Sequence, residues 1–379
     1  MKIKVASPSI NQADVEALNA SLLSGHLTSG PRVKEFEQTF ADYVGVKEAI
    51  AVNSGTAALH AALAAKNIGF GDEVIVPALT FFSTVTAVIH QGAVPVFCDI
   101  TQTDFSLCPE DLENHITPRT KAIIPVHYFG HSAEMDKIME IANRHGLSVI
   151  EDCAQSHGTI YKGKMTGSIG EFGAFSMFAT KHMTTCEGGM ITTNDPDAAD
   201  FMRKFRSHGL EGRNDHTMLG YNYRMPDPLA ALGNSQLKRL DQMNSDRIAA
   251  SEKVIAAIQD IDWLETPIVP EHVKHTYFWC HILIDEDLLG MKTSELIQKL
   301  SENGIECRNR YEEPLYKQPL LNANLPEILK ISGGDNLPDY GRLFLKNSER
   351  VAGSIIGLPN RPDLSETEIT RISDVLRSF

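Results

Sequence analysis

Between residues 48 and 193, short apolar runs alternate with segments of helical period, and this alternation limits the possible folds more than any other feature of the chain. Residues 48–53, 73–77, 94–98, 121–126 and 147–151 are nearly continuous apolar runs, the pattern of parallel strands covered on both faces. Residues 57–66, 83–90 and 134–145 read as the helices between them. Two further strands are expected at 172–178 and 189–193, followed by a helix at 196–207. Right-handed crossovers then put the functional loops beyond the carboxyl ends of the strands.

Outside this region the pattern changes. Asn11 caps a segment carrying Val15, Leu18 and Leu22 that Gly25 ends, and Val33, Phe36, Phe40, Tyr43 and Val44 recur at helical spacing up to Gly45. Residues 236–258 read as one long connecting helix, 275–284 as a strand, 294–303 as a helix and 305–311 as a strand. Ser365-Glu366-Thr367-Glu368 is a capping box opening a last helix striped with Ile369, Ile372 and Leu376. The expectation is an α/β protein of two domains: 1–240, a large sheet domain with an N-terminal segment, and 241–379, a linker helix with a smaller α+β domain.

The 379 residues carry a formal net charge of −14 without a basic cluster, which argues against nucleic acid and anionic membrane surfaces as partners. No apolar run approaches the ~18 residues of a membrane span, and residues 1–30 do not read as a signal peptide, so a cytoplasmic setting is expected. The six cysteines contain no C-x-x-C and fit no zinc spacing. They read as reduced thiols, and no metal is expected.

Three segments carry chemistry. Asn53-Ser54-Gly55-Thr56-Ala57-Ala58-Leu59 sets a small-residue turn between a strand and a helix start, a geometry that cradles phosphate, although tight turns favour Gly and Ser anyway. Asp152, in Glu151-Asp152-Cys153-Ala154-Gln155-Ser156-His157, ends an apolar strand; it can hold a pyridinium nitrogen protonated or simply cap a turn. Lys181 lies among Met, Phe and Thr between a strand and Gly188-Gly189, where desolvation would lower its pKa and suit it to a Schiff base. A lysine in such a place is otherwise a solvated surface residue.

In this order the motifs N-S-G-T-A-A-L, E-D-x-A-Q-x-H-G, F-S-x-x-x-x-K-x-x-T-x-x-E-G-G and G-Y-N-Y-R-M resemble those of the DegT/StrS-type sugar aminotransferases, a branch of the fold-type I pyridoxal-phosphate (PLP) enzymes. The resemblance extends from Gly25-His26-Leu27 to Leu358-Pro359-Asn360. It implies a mainly parallel seven-stranded-type sheet with helices on both faces. Lys181 is then the Schiff-base lysine and Asp152 the partner of the pyridine nitrogen. Gln155 lies beside the cofactor's phenolic oxygen, Gly55, Thr56 and Ser176 bind its phosphate, and Phe81 rests on its face or packs in the core. Asn222 and Arg224 match a loop that reaches a neighbouring subunit's site, which implies a homodimer with shared active sites.

The resemblance further implies transfer of an amino group, from glutamate, to a keto or aldehydo sugar in cell-surface polysaccharide (lipopolysaccharide) or amino-sugar biosynthesis. A nucleotide-linked keto-deoxyhexose is the first choice of acceptor and an eight-carbon keto-sugar acid the alternative. The chain departs from the family at His182, where Asn is common, at Cys186, where Gly often stands, and at Tyr316, where a substrate-contacting His is frequent; by this resemblance Arg224 and Tyr316 are the candidate substrate contacts and Asn222 a cofactor contact. A sugar 3-dehydratase would have His in place of Lys181, and a non-catalytic sensor on the same fold would bind cofactor without turning over glutamate.

Overall fold

The computed structural model describes residues 2–309 and 311–379. Strands β1 (Glu48–Val52), β2 (Glu73–Pro77), β3 (Val94–Cys98), β4 (Thr120–Ile123), β5 (Ser148–Asp152), β6 (Phe172–Ser176) and β7 (Gly189–Thr193) form one sheet ordered β1-β7-β6-β5-β4-β2-β3. The pairs among β2 to β6 are parallel, and β7 runs antiparallel to both its neighbours. This is the mainly parallel seven-stranded sheet that the resemblance implies.

Side chains leave a strand alternately to either face. Ile50, Val52, Ile150 and Ile191 pack under the Ala-rich helix α3 (Gly55–Ala65) and α4 (Ser83–His90), while Ala49, Ala51 and Met190 pack under α2 (Pro31–Val44). Both faces are therefore dry, and the ends of the strands are where polar chemistry has room.

A second, three-stranded sheet joins Leu264–Glu265, Cys280–Ile284 and Ile355–Leu358. Its core takes Leu296 and Leu300 from one helix and Ile369, Ile372 and Leu376 from the C-terminal helix Glu366–Arg377, whose Ser365 capping box forms. Ile3 packs into this second core, whereas Leu315, Tyr316, Leu329 and Tyr340 pack onto the large sheet. Among the described residues, no helix is long and apolar enough to cross a membrane.

Four expectations differ from the structure for local reasons. Residues 236–258 are two helices, Asp227–Leu237 and Leu240–Ile258, because Arg239 leaves helical geometry and binds buried Asp14 at 2.7 Å. The helix Gln12–Leu23 correspondingly buries Asp14 and Ser21 and exposes Val15 and Leu22. The strand expected over 275–284 begins only at Cys280, since Tyr277 has a left-handed φ of 46°. Of the strand expected over 305–311, Ile305 and Arg308 make isolated bridges, to Ile3 and Gly357, rather than a continuous ladder, and Arg310 lies outside the described residues.

Candidate active site

A cleft of about 300 Å³ opens at the carboxyl ends of β5 and β6 and at the start of α3. Gly55, Thr56, Phe81, Asp152, Gln155, Ser176 and Lys181 all line it, although they come from four separate stretches of chain.

At one end, Ser54 caps α3 by accepting the Ala57 N–H, and the helix's first N–H groups face the cleft with the positive end of its dipole. The Thr56 hydroxyl lies 2.9 Å from that of Ser83. A Cβ on Gly55 would stand 2.8 Å from Ser176 Cβ, so only glycine lets helix and strand close around this cradle. Hydroxyls and helix N–H groups in this arrangement suit a phosphate dianion.

At the other end sits Asp152. Its carboxylate accepts from the Thr84 hydroxyl at 2.8 Å and from the Ala154 N–H at 3.1 Å. Burial raises its pKa above the usual carboxylate range, and the two hydrogen bonds and the charge of Lys181 oppose that rise only in part. A buried carboxylate this lightly compensated is stabilised by a cationic partner such as a protonated pyridine ring.

Lys181 Nζ lies over the Phe278 ring, 4.4 Å from its centroid. Beneath it, His157 and His182 are buried, with rings 5.6 Å apart. Burial holds the pKa of His157 at about 3 and that of His182 well below the usual imidazole value, so both are neutral. The Gln155 amide accepts the Phe129 N–H and donates to the Tyr311 hydroxyl. Phosphate cradle, amine and carboxylate thus occur in one cleft, and this set fits PLP.

The other expected residues lie elsewhere. Asn222 is exposed beside the cleft, its carbonyl 3.3 Å from the Asn53 amide. Arg224 bridges to Val52 and reaches the Ser207 hydroxyl. Tyr316 is 0% exposed, packs on Phe97 and donates to Glu349 at 2.7 Å. Thr84, Phe278 and Tyr311 line or support the cleft without having been singled out. Thr84 lies one turn beyond Thr80, a spacing a sequence reader can see, but Phe278 and Tyr311 arrive by tertiary folding alone.

Among the described residues, two groups of metal-ligand residue types also gather in space, which the cysteine spacing did not indicate: Cys98, Asp111 and His115, and His127, Glu151 and Cys153. In each, hydrogen bonds already occupy the carboxylate. Asp111 binds His115 and the Asp99 N–H, while Glu151 binds His127 and three backbone N–H groups.

Residues 8–377 match the DegT/DnrJ/EryC1/StrS aminotransferase family. The chain belongs to that family. It is 44% identical to the spore coat polysaccharide biosynthesis protein SpsC of Bacillus subtilis, over 98% of this chain and 95% of that one. It is 40% identical to the GDP-perosamine synthase of Caulobacter vibrioides, over 93% and 97%. A Streptococcus pneumoniae chain solved in its PLP form superposes with a TM-score of 0.87 at 27% identity, covering 100% of this chain and 98% of that one. The protein is therefore a PLP-dependent transaminase that acts on a sugar.

Proposed function

We propose that this aminotransferase moves an amino group from glutamate onto a nucleotide-linked keto-deoxyhexose, in the cytoplasm, on a route to a cell-surface polysaccharide such as lipopolysaccharide. The observation that carries the reading is the convergence of Gly55, Thr56, Ser176, Asp152, Gln155 and Lys181 on one cleft. The sugar class rests on the likeness to GDP-perosamine synthase and to the spore coat polysaccharide protein.

When bound, PLP supplies an aldehyde that holds amino groups covalently and an electron-poor ring that stabilises the charge left when the neighbouring carbon loses a proton. Gly55, Thr56 and Ser176 hold the phosphate, and Phe81 covers the ring. Asp152 keeps the ring nitrogen protonated, and its under-compensated burial is what makes that pairing favourable. With PLP bound, Lys181 Nζ would hold its aldehyde carbon, and as a free amine it would be the base that takes the proton from the donor's α-carbon and returns one to the sugar carbon.

We further propose a homodimer in which Asn222 and Arg224 complete the neighbouring site. Leu23 and Leu219, 89% and 80% exposed, are apolar surface that a second copy would cover. Substrate contact by Tyr316 finds no support in its place in the core.

The test is incubation of the PLP-loaded protein with L-glutamate and a panel of acceptors, with mass spectrometry of the products. Amino-sugar and 2-oxoglutarate formed together from a nucleotide-linked keto-deoxyhexose is the expected outcome. Turnover only with eight-carbon keto-sugar acids, or with no sugar, overturns the acceptor assignment.

A further inference from the structure

Phe129 holds a left-handed backbone, φ 52° and ψ 16°, in the middle of the buried turn Tyr128–Gly130. A bulky residue seldom adopts that conformation, and such strain persists only where the surroundings enforce it. Here they do. The Phe129 ring stacks on Trp279 with centroids 5.0 Å apart, and its carbonyl accepts the Phe278 N–H at 2.6 Å. Next to it, the Gly130 carbonyl accepts the Thr276 N–H at 3.1 Å. A Cβ on Gly130 would meet Thr276 Oγ1 and Tyr277 N at 2.9 Å, so the turn is pressed against that segment.

The remaining polar group of Phe129, its N–H, donates to Gln155 Oε1 at 3.1 Å. A backbone N–H can only donate, so this bond decides which way the Gln155 amide is flipped. Oε1 must face Phe129, and Nε2 must face the other way. It donates one hydrogen to Tyr311 Oη at 3.3 Å and has a second to offer within the cleft. The opposite flip would present a carbonyl oxygen there and set two donors against each other.

We propose that Phe129 is a positioning residue: its strained peptide fixes the Gln155 amide so that an N–H, not an oxygen, meets the phenolic oxygen of the cofactor. The inference rests on the functional reading above and deepens it. An N–H donated to that oxygen stabilises its deprotonated form and holds down the pH at which the cofactor's nitrogen link to Lys181 takes up a proton. With the amide misplaced, that pH rises.

The experiment is a pH titration of the visible absorbance of the PLP-loaded protein, with the dissociation constant of PLP as a second readout. Phe129→Gly and Phe129→Val both lose the ring, but glycine accepts the left-handed backbone and a β-branched residue resists it. The glycine variant is expected to keep the wild-type midpoint. The valine variant is expected to move it up by about one pH unit, a tenfold change in the protonation constant. Gln155→Glu, which keeps an acceptor for Phe129 but loses the donor, should move it in the same direction. If the valine variant does not fold, Phe129→Ala replaces it, with a midpoint above that of the glycine variant. Equal midpoints for the glycine variant and for its valine or alanine counterpart overturn the proposal. A wild-type protein that shows no cofactor band contradicts the functional reading instead.

Discussion

Glu151 and Asp152 are consecutive carboxylates on one strand, both buried, yet they face opposite sides of the sheet and do opposite things. Glu151 is satisfied four times over, by the N–H groups of Gly167, Ile169 and Gly170 at 2.7 to 2.8 Å and by His127 Nε2 at 2.9 Å. Ala133 N–H donates to His127 Nδ1, so the proton is on Nε2 and the imidazole is a donor to Glu151. Asp152 has two hydrogen bonds and a raised pKa. One carboxylate is locked into the scaffold, and the other is held in place but left wanting a cation. Stability and function are thereby divided between neighbours one residue apart.

Substitution at the two positions should separate these roles. Asp152→Asn is expected to lower kcat by about 10³-fold, of the order a placed acid–base group contributes, with the fold intact by circular dichroism. The cofactor-free variant should melt higher than wild type at neutral pH. A buried carboxylate with a raised pKa costs stability when charged, so this gain should fade as pH falls toward the ordinary Asp value. Glu151→Gln sets an amide NH2 against N–H donors and is expected to cost about 3–5 kcal/mol in denaturant unfolding, since each lost bond to a charged group is worth about 1.5–3 kcal/mol, with kcat of the folded protein within severalfold of wild type. Equal losses of activity at both positions would erase the distinction.

Thr84→Val removes one of the two bonds to Asp152. A hydrogen bond to a charged group is worth about 1.5–3 kcal/mol, so kcat should fall roughly 10- to 100-fold, with little change in the dissociation constant of PLP. The buried histidines sharpen the contrast through acid stability. His157 and His281, both held at about 3, and His182 and His275 stay neutral in the fold but take up protons near pH 6.5 when it opens. Stability should therefore fall as pH drops below about 6.5, by about 1.4 kcal/mol per pH unit for each histidine, as read from unfolding midpoints between pH 7 and 5. The smallest effect is expected at Tyr316→Phe. It loses the bond to Glu349, about 1 kcal/mol of stability, and leaves kcat unchanged.

Much of the sheet could be read from the sequence because its strands are written as continuous apolar runs, and Glu73–Pro77, Val94–Cys98 and Gly189–Thr193 fall where those runs end. The cofactor end of the cleft was legible because a turn, a strand end and a lysine each carry a local signature. What failed to show locally was decided by distant partners. Arg239 breaks a helix to reach Asp14, and Tyr277 leaves extended geometry in a segment held by Phe129 and Gly130. Tyr316 was placed in the site on family pattern but lies in the core, because its hydroxyl finds Glu349 and its ring finds Phe97. Thr84 and Phe278 matter only once the strands bring Asp152 and Lys181 to them.

The most direct measurement is the visible spectrum of the PLP-loaded protein before and after L-glutamate is added without acceptor, for wild type, Asp152→Asn and Glu151→Gln side by side. Wild type and the folded fraction of Glu151→Gln should exchange the band of cofactor held by Lys181 for that of the aminated cofactor, while Asp152→Asn binds the cofactor and barely converts. No cofactor band in wild type, or conversion by Asp152→Asn as fast as wild type, would contradict the roles given to Lys181 and Asp152.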